Sequence, residues 1–515
     1  MRALHPDHER VVTALTTPDL AAVVDLVVWV APDPDGTPVA HAANHLGRVR
    51  LEPGGRHTVL AGRDPIVSED PLAFLPYAAE LAHPSPPVST HNAYPLAAER
   101  LLSFFADPDR SPDIAIVHTP GHYFPDEGGH VGEHGSLDVI QSRAPLIVSG
   151  ARVEARGLVD EWARLIDVGP TLAYLAGVPE SDLRDAKGDP LDGRVLRRYL
   201  NEGPIGPVVG ILWDGGHCGD LLHLAESGDL PGVARLIARG TALRGGAIAQ
   251  FPSITLTNHT SILTGVGPGR HGVLGNVYVD RATGERVVPN DETTWHRSSE
   301  WLHDSVRTVF EMVADHIPVP DVAADADDAA LAAARFLRPR TASVDEAIDR
   351  GADYSTMQII RASGSSRGAG GLGDQLPDPH TSPFVHEPEH LEDSYFRWSV
   401  QVDDLGLQQM RQLFAGPDHL PTLTWWANVV TDAGHHGGGP RSSMARDALR
   451  QADARLVAFL DHLDGLGVTD QVTFILTADH GFEGSDPAIT GSWAPALAAL
   501  GIPLRDEGPG LIYLG

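Results

Sequence analysis

Short apolar runs, each closed by a polar or glycine-containing turn, recur along the chain: Asp113 to Val117, Ala144 to Val148, Val208 to Trp213, Leu423 to Val430 and Val472 to Thr477. Runs of this length without polar alternation fit strands covered on both faces, as in a largely parallel sheet. Between them lie helical patterns at Gly228 to Arg239, Leu158 to Ala176 and Ser442 to Leu466. The last carries Leu449, Ala452, Leu456, Phe459 and Leu463 at helical spacing. The alternation predicts an α/β sandwich with a mostly parallel central sheet and helices on both faces. Ligands of such sheets bind beyond the carboxyl ends of the strands. Asp214, Asp432 and the adjacent Asp479 and His480 stand at or just past those ends.

A chain of 515 residues has room for two or three domains, and its 42% hydrophobic share is ample for a large core. The formal charge of -31, with Lys187 as the only lysine, argues against a nucleic-acid polymer as partner, because phosphate backbones are held by clustered cations. Cys218 is the only cysteine, so no intramolecular disulfide forms. The first residues lack a signal-peptide pattern, and the apolar stretch Leu20 to Ala31 is too short to span a bilayer and contains Asp25. A cytoplasmic protein without a membrane partner is the expectation.

Val319 to Asp345 is rich in Ala and Asp, and Ser363 to Gly373 is nearly all Gly, Ser and Ala, as in insertions or linkers. Residues 281–419 carry few strand-plus-ligand units and read as a smaller cap over the site, with residues 1–85 as an accessory part of core or cap.

Four segments carry chemistry. In Val208 to Gly216 a carboxylate, Asp214, ends a buried run and is followed by two glycines that let the chain turn away from a bound cation. The string Phe251 to Gly265 sets Thr255 and Asn258-His259 among hydroxyl residues, and Pro268, His271-Gly272 and Asn276 follow. Asp432 and His436 stand four apart and can converge on one cation, with His435 as the neighbouring alternative. The run Phe474 to Thr477 delivers Asp479 and His480 just past its tip.

Together these strings resemble the type I phosphodiesterase and nucleotide pyrophosphatase family of the alkaline phosphatase superfamily. Its pattern runs Phe-Pro, two residues, Thr, two residues, Asn-His, then Thr-Gly, Pro, His-Gly and Asn. It continues with Asp, three residues, His, two residues, Gly-Pro, a spacing that favours His436 over His435. The family places one further histidine, in a Gly-x-His-Gly context, after these elements. Here Gly132-Glu133-His134-Gly135, the run Ala144 to Gly150 and Ile166 to Leu172 resemble that portion, yet they come first. The resemblance therefore implies an alkaline-phosphatase-like fold in circularly permuted order. Residues 86–200 would be the core portion normally C-terminal, and 201–280 with 420–515 the portion normally N-terminal. Asn201 to Pro207 would join the former ends, and Gly515 would lie near Met1.

By the same resemblance Asp432, His436 and His134 hold one divalent ion, and Asp214, Asp479, His480 and Thr255 hold the other. Asp and His ligands divided in this way suit zinc, with manganese or iron as alternatives. Thr255 is the implied nucleophile, forming a phosphothreonine intermediate, and Asn276 holds a phosphate oxygen. A neutral amide there suits a phosphodiester, nucleotide-type or other, over a monoester. A phosphomonoesterase or phosphonate hydrolase on the same core is the second enzyme reading, and an inactive metal- or ligand-binding scaffold the reading from another class. Tyr278, Trp295, Trp425 and Trp426 are candidates for an aromatic platform, with simple packing as the alternative for each.

Three further matches are discounted. His386-Glu387-Pro388-Glu389-His390 fits a zinc-protease string, but proline in its middle breaks the helix that would align the histidines. Gly364-Ser365-Ser366-Arg367-Gly368 fits a serine-hydrolase elbow but lies in a glycine-rich stretch. Cys218 reads as a small core side chain.

Overall fold

The computed structural model describes residues 3–82, 93–125, 128–291, 293–318, 328–364, 376–418, 420–508 and 510–515. Met1, residues 319–327 of the Ala- and Asp-rich stretch and most of the 363–373 segment lie outside them, as does Ser365-Ser366-Arg367-Gly368; the remainder of the Ala- and Asp-rich stretch, expected as an insertion or linker, instead forms helix Asp328–Leu337 and strand Thr341–Val344. No helix among the described residues is long and apolar enough to cross a membrane.

An eight-stranded sheet organises the core. Across it the strands run Tyr354–Ser355, Thr341–Val344, Leu423–Asn428, Val208–Trp213, Thr473–Thr477, Leu146–Gly150, Gly240–Leu243 and Gly157–Val159. The first five are mutually parallel, and Leu146–Gly150 is antiparallel to both of its neighbours. The expected mostly parallel character holds because each parallel strand feeds side chains alternately into two cores. From Val208–Trp213, Val208 and Leu212 enter one cluster, whereas Val209, Ile211 and Trp213 enter the other. Helices Val168–Leu175, Thr255–Thr264 and Val309–His316 cover the first face. Helices Cys218–Ser227, Pro231–Ala238, Ser394–Leu413 and Ser443–Leu466 cover the second. A strand with both faces covered has no polar side to display, which is why the sequence shows unbroken apolar runs.

Three expectations are corrected. The run Asp113 to Val117 becomes the strand Ile114–His118 of a separate seven-stranded antiparallel sheet, whose other members are Val24–Pro32, Pro38–Asn44, Gly47–Glu52, Arg56–Gly62, Leu504–Glu507 and Leu511–Leu514. Residues 24–62 thus supply four strands of a second sheet with cores of its own. The helix foreseen over Leu158 to Ala176 is confined to Val168–Leu175, because Gly157–Val159 and Ala163–Arg164 pair as strand edges. Finally, residues 281–419 are not solely a cap. Thr341–Val344 pairs with Leu423–Asn428 inside the main sheet, and helix Ser394–Leu413 packs on it, so their apolar residues belong to the core.

The long helix begins where foreseen: the Ser442 side chain accepts from the Ala445 N–H, and Gly467, at φ +70, ends it. Residues 201–207 form neither helix nor strand. At the C-terminus, a β-carbon built on Gly515 would stand 3.8 Å from His5 Nε2.

Candidate metal centre and cleft

The carboxyl ends of the central parallel strands open into a cleft of about 630 Å³. Asp214 follows the strand Val208–Trp213 directly, and Asp479 and His480 follow Thr473–Thr477. Asp432 and His436 lie on the short helix Val430–Gly438 after the strand Leu423–Asn428. Gly215, at φ +60, permits the close approach: a β-carbon there would lie 2.2 Å from the Phe482 ring and 3.0 Å from Asp432 Oδ1. Its N–H instead donates to Asp479 Oδ1 at 2.9 Å.

Besides groups of His130, Glu133 and His436 and of Asp214, His259 and Asp479, two overlapping clusters form from side chains far apart in sequence. Ligand atoms of His134, Asp432 and His436 lie within 4.8 Å of one another, as do those of Asp214, Asp432 and His480. The early segment is carried in by its own hydrogen bonds. His134 Nδ1 meets the Ser253 carbonyl at 3.0 Å, and Ser253 Oγ donates to the Ser136 carbonyl at 2.6 Å. His134 stacks on His480 with ring centroids 3.7 Å apart.

Each of the three histidines has Nδ1 against a backbone carbonyl: His134 on Ser253, His436 on Gly132 at 3.0 Å and His480 on Gly481 at 3.1 Å. A donating Nδ1–H leaves Nε2 as the lone-pair nitrogen, the arrangement that orients imidazole toward a cation. His435 is not in either cluster. Its ring lies on Phe482, 5.2 Å between centroids, and it faces His217.

Five buried atoms meet in this space with no hydrogen-bond partner among the described residues: Asp214 Oδ1, Asp432 Oδ1, Asp479 Oδ2, His259 Nε2 and His480 Nε2. Ion-pair contacts among them, His480 Nε2 to Asp479 Oδ2 at 3.0 Å and to Asp214 Oδ1 at 3.8 Å, still leave three buried carboxylates against two imidazoles, a donor set that fits divalent metal. Burial and the neighbouring Asp479 and Asp432 push the Asp214 carboxyl up to about 8. At Asp479 burial acts in the same direction but is outweighed by His480, which brings the carboxyl down to about 2. Burial together with His480 and His436 holds His134 well below the ordinary imidazole value, in the neutral form a metal ligand needs.

Thr255 opens the helix Thr255–Thr264 at the cleft. Asn258 fixes the loop before it: its Oδ1 accepts from Gln250 N–H at 2.7 Å, and its amide donates to the Pro252 and Ile254 carbonyls. Asn276 lines the same cleft and its Oδ1 is unpartnered among the described residues. Leu256 is fully buried, as are Tyr278 and Trp425, and Trp426 is 1% exposed, so of the proposed platform residues only Trp295 reaches the cleft. Tyr395 and Trp398 line it too.

The sequence reading gave His259 no role. One helical turn after Thr255, its Nε2 lies 3.6 Å from Asp214 Oδ2 and 3.7 Å from Asp479 Oδ2. Its Nδ1 meets Glu346 Oε2 at 2.8 Å, and the Trp425 indole N–H donates to the same oxygen at 2.9 Å. The four-residue spacing from Thr255, which places both on one helix face, was the available signal. Its Oε1 accepts from the Ile348 N–H at 2.9 Å, so Glu346→Ala should leave three buried nitrogens unpaired and lower stability by about 3 kcal/mol, read by denaturant titration. Glu346→Gln, which keeps an acceptor, should recover part of that loss.

Of the discounted matches, two lie within described residues. His390 sits in the short 3-10 segment Pro388–Glu392 with Nδ1 3.0 Å from Asp447, and Cys218 is buried at the start of its helix.

Fold and site define a class: mixed α/β proteins that gather carboxylates and imidazoles at the ends of parallel strands, beside a hydroxyl at a helix N-terminus. The sequence model of the family described as type I phosphodiesterase / nucleotide pyrophosphatase matches residues 208–509, and the chain belongs to that family. A stretch of 75 residues is 36% identical to an uncharacterized pyrophosphatase/phosphodiesterase of Schizosaccharomyces pombe, covering 13% of this chain and 16% of that protein. The structure of phosphonoacetate hydrolase from Sinorhizobium meliloti 1021 with phosphonoformate is similar at 22% identity and a TM-score of 0.34, over 56% of this chain and 59% of that one. That of murine ectonucleotide pyrophosphatase/phosphodiesterase 5 with AMP is similar at 15% identity and a TM-score of 0.35, over 54% and 57%. The chain thus spans less than two thirds of each of these relatives.

Proposed function

We propose that this protein hydrolyses phosphodiester bonds of a small substrate, nucleotide-type or other, through a phosphothreonine on Thr255. The observation that carries the proposal is the convergence of unpartnered Asp and His atoms beside that hydroxyl. In this reading Asp432, His436 and His134 hold one divalent ion, and Asp214, Asp479, His480 and Thr255 the other, zinc being the best match to the donors and manganese or iron the alternatives. When bound, such a pair supplies Lewis acidity that favours the Thr255 alkoxide, the departing oxygen and a nucleophilic water.

The chain's own residues then do the following. Thr255 Oγ1 releases its proton to solvent and bonds to phosphorus as the bond to the leaving oxygen breaks; that oxygen takes up a proton as it departs. Backbone N–H groups in the first turn of its helix face the phosphoryl group, a favourable setting for an anion. The Asn276 amide donates to a non-bridging oxygen. Water then attacks phosphorus, breaks the bond to Oγ1 and restores the threonine.

No Arg or Lys lines the cleft among the described residues. The second negative charge of a monoester therefore has no fixed side-chain cation, whereas a diester carries a single charge. The rival enzyme readings are a phosphomonoesterase or a phosphonate hydrolase on the same core, and an inactive metal-binding scaffold is the rival of another class. Rates on an aryl phosphodiester, an aryl phosphate and an aryl phosphonate, measured with metal content, separate them. The diester should be cleaved fastest; a faster monoester or phosphonate would reassign the activity, and fewer than two tightly held ions with no turnover would favour the scaffold.

The proposal includes the permuted chain order, with 86–200 standing for the normally C-terminal portion and Asn201 to Pro207 as the connection. Two facts support it: His134 lies outside the family match yet inside the metal cluster, and Gly515 lies beside His5. The address is proposed as cytoplasmic.

A further inference from the structure

We propose that His259 is a further ligand of the divalent ion between Asp214 and Asp479, so that the helix bearing Thr255 supplies that ion with an imidazole as well as a hydroxyl. The inference rests on the metal reading of the site and adds one donor to it. Its first support is the place of a single atom. His259 is 3% exposed, lines the cleft, and its Nε2 has no hydrogen-bond partner among the described residues. That nitrogen lies 3.6 Å from Asp214 Oδ2 and 3.7 Å from Asp479 Oδ2. Both separations are too long for a hydrogen bond. Two donors bound about 2.0 to 2.2 Å from one ion, at angles near tetrahedral or trigonal, stand roughly 3.3 to 3.7 Å apart, and that is the spacing His259 keeps from both carboxylates.

The second support is how the ring is held. His259 Nδ1 meets Glu346 Oε2 at 2.8 Å, and Glu346 is itself fixed, because Oε2 also accepts from the Trp425 indole N–H and Oε1 accepts from the Ile348 N–H, each at 2.9 Å. Glu346 is fully buried. With the ring proton on Nδ1 facing this carboxylate, the Nε2 lone pair points at the two Asp oxygens, the arrangement that orients an imidazole ligand and raises its basicity. His134, His436 and His480 follow the same pattern with backbone carbonyls as acceptors. The third support is spacing. His259 follows Thr255 by four residues in helix Thr255–Thr264, as His436 follows Asp432 in helix Val430–Gly438, so each pair reaches one place from one helix face. The rival role is that of a counter-ion, an imidazolium offsetting the buried carboxylates. A charge-assisted hydrogen bond would then draw at least one Asp oxygen close, and neither is.

A crystal structure of the zinc-loaded protein, with anomalous scattering to place the ions, tests this without turnover and without a variant. His259 Nε2 should stand about 2.1 Å from the ion bound by Asp214 and Asp479. Competition with a chelator, read as metal content, gives a second measure. His259→Gln should weaken one ion by about a hundredfold or more and leave the other unchanged, and Glu346→Gln should weaken the same ion by about tenfold. The ion affected should be the one that Asp479→Asn also weakens, not the one lost with His134. Circular dichroism matching the parent shows that each variant is folded. An ion held by Asp214 and Asp479 with His259 Nε2 at hydrogen-bond distance or farther overturns the proposal and leaves the metal reading standing, as does unaltered affinity in a folded His259→Gln. A zinc-loaded crystal with no ion at Asp214 and Asp479 overturns the metal reading and the proposal together.

Discussion

Replacing Thr255 with alanine should lower turnover of an aryl phosphodiester by about a thousandfold or more while both metal ions remain bound. The reasoning separates two contributions of one side chain. In the proposed mechanism Thr255 Oγ1 is the atom that bonds to phosphorus, and no neighbouring hydroxyl stands at the same helix position to replace it. As a metal contact it is one oxygen beside Asp214, Asp479 and His480, whose atoms are buried and converge without it. The variant should therefore keep its ions and lose the covalent step. Steady-state release of p-nitrophenolate, metal content by mass spectrometry and an acid quench to trap phosphoprotein measure the three parts. A variant that turns over like the parent removes Thr255 from the role. One that sheds a metal along with its activity shows that the hydroxyl is chiefly a ligand.

His134→Ala carries the second large effect, since it removes a ligand supplied by a segment outside the family match. Bound metal should fall from two ions to about one per chain, and kcat/KM by about a hundredfold or more. The fold should survive, because His134 is held through one hydrogen bond to Ser253 and by ring stacking, and the strand Leu146–Gly150 that follows keeps its pairing with Thr473–Thr477. Retention of two tightly held ions would dissolve the assignment and with it the main support for the permuted order. Ser253 offers a control. Its hydroxyl bridges Gly135 N–H and the Ser136 carbonyl, so Ser253→Ala should weaken metal binding less than loss of the imidazole itself.

Much of the core was legible because strands covered on both faces must be apolar at every position. Val208–Trp213, Leu423–Asn428 and Thr473–Thr477 announce themselves in that way, and the residues just beyond them are where ligands gather. The candidate metal residues were named by motif resemblance, and for Asp432 with His436, four apart on a helix, and for Asp479 with His480, just past a strand tip, local geometry agrees with it. The antiparallel sheet was not. Ile114–His118 has the composition of a central parallel strand, and its membership is decided by pairing with Val24–Pro32 and Leu511–Leu514, segments at the two ends of the chain. Thr341–Val344 was hidden inside the Ala- and Asp-rich stretch read as a linker, and only its register with Leu423–Asn428 brings it into the core.

By itself, then, the sequence determined the α/β character, which follows from periodicity, while the family and the candidate metal residues rest on the resemblance of whole motif strings to a known pattern. Only tertiary structure decided that His435 packs on Phe482, that His259 leans on Glu346, and that Tyr395, Trp398 and Asp345 share a cleft with Asp432. Those relations depend on long-range packing, which sets where an element lands and which of its faces turns inward, and local spacing holds no record of either.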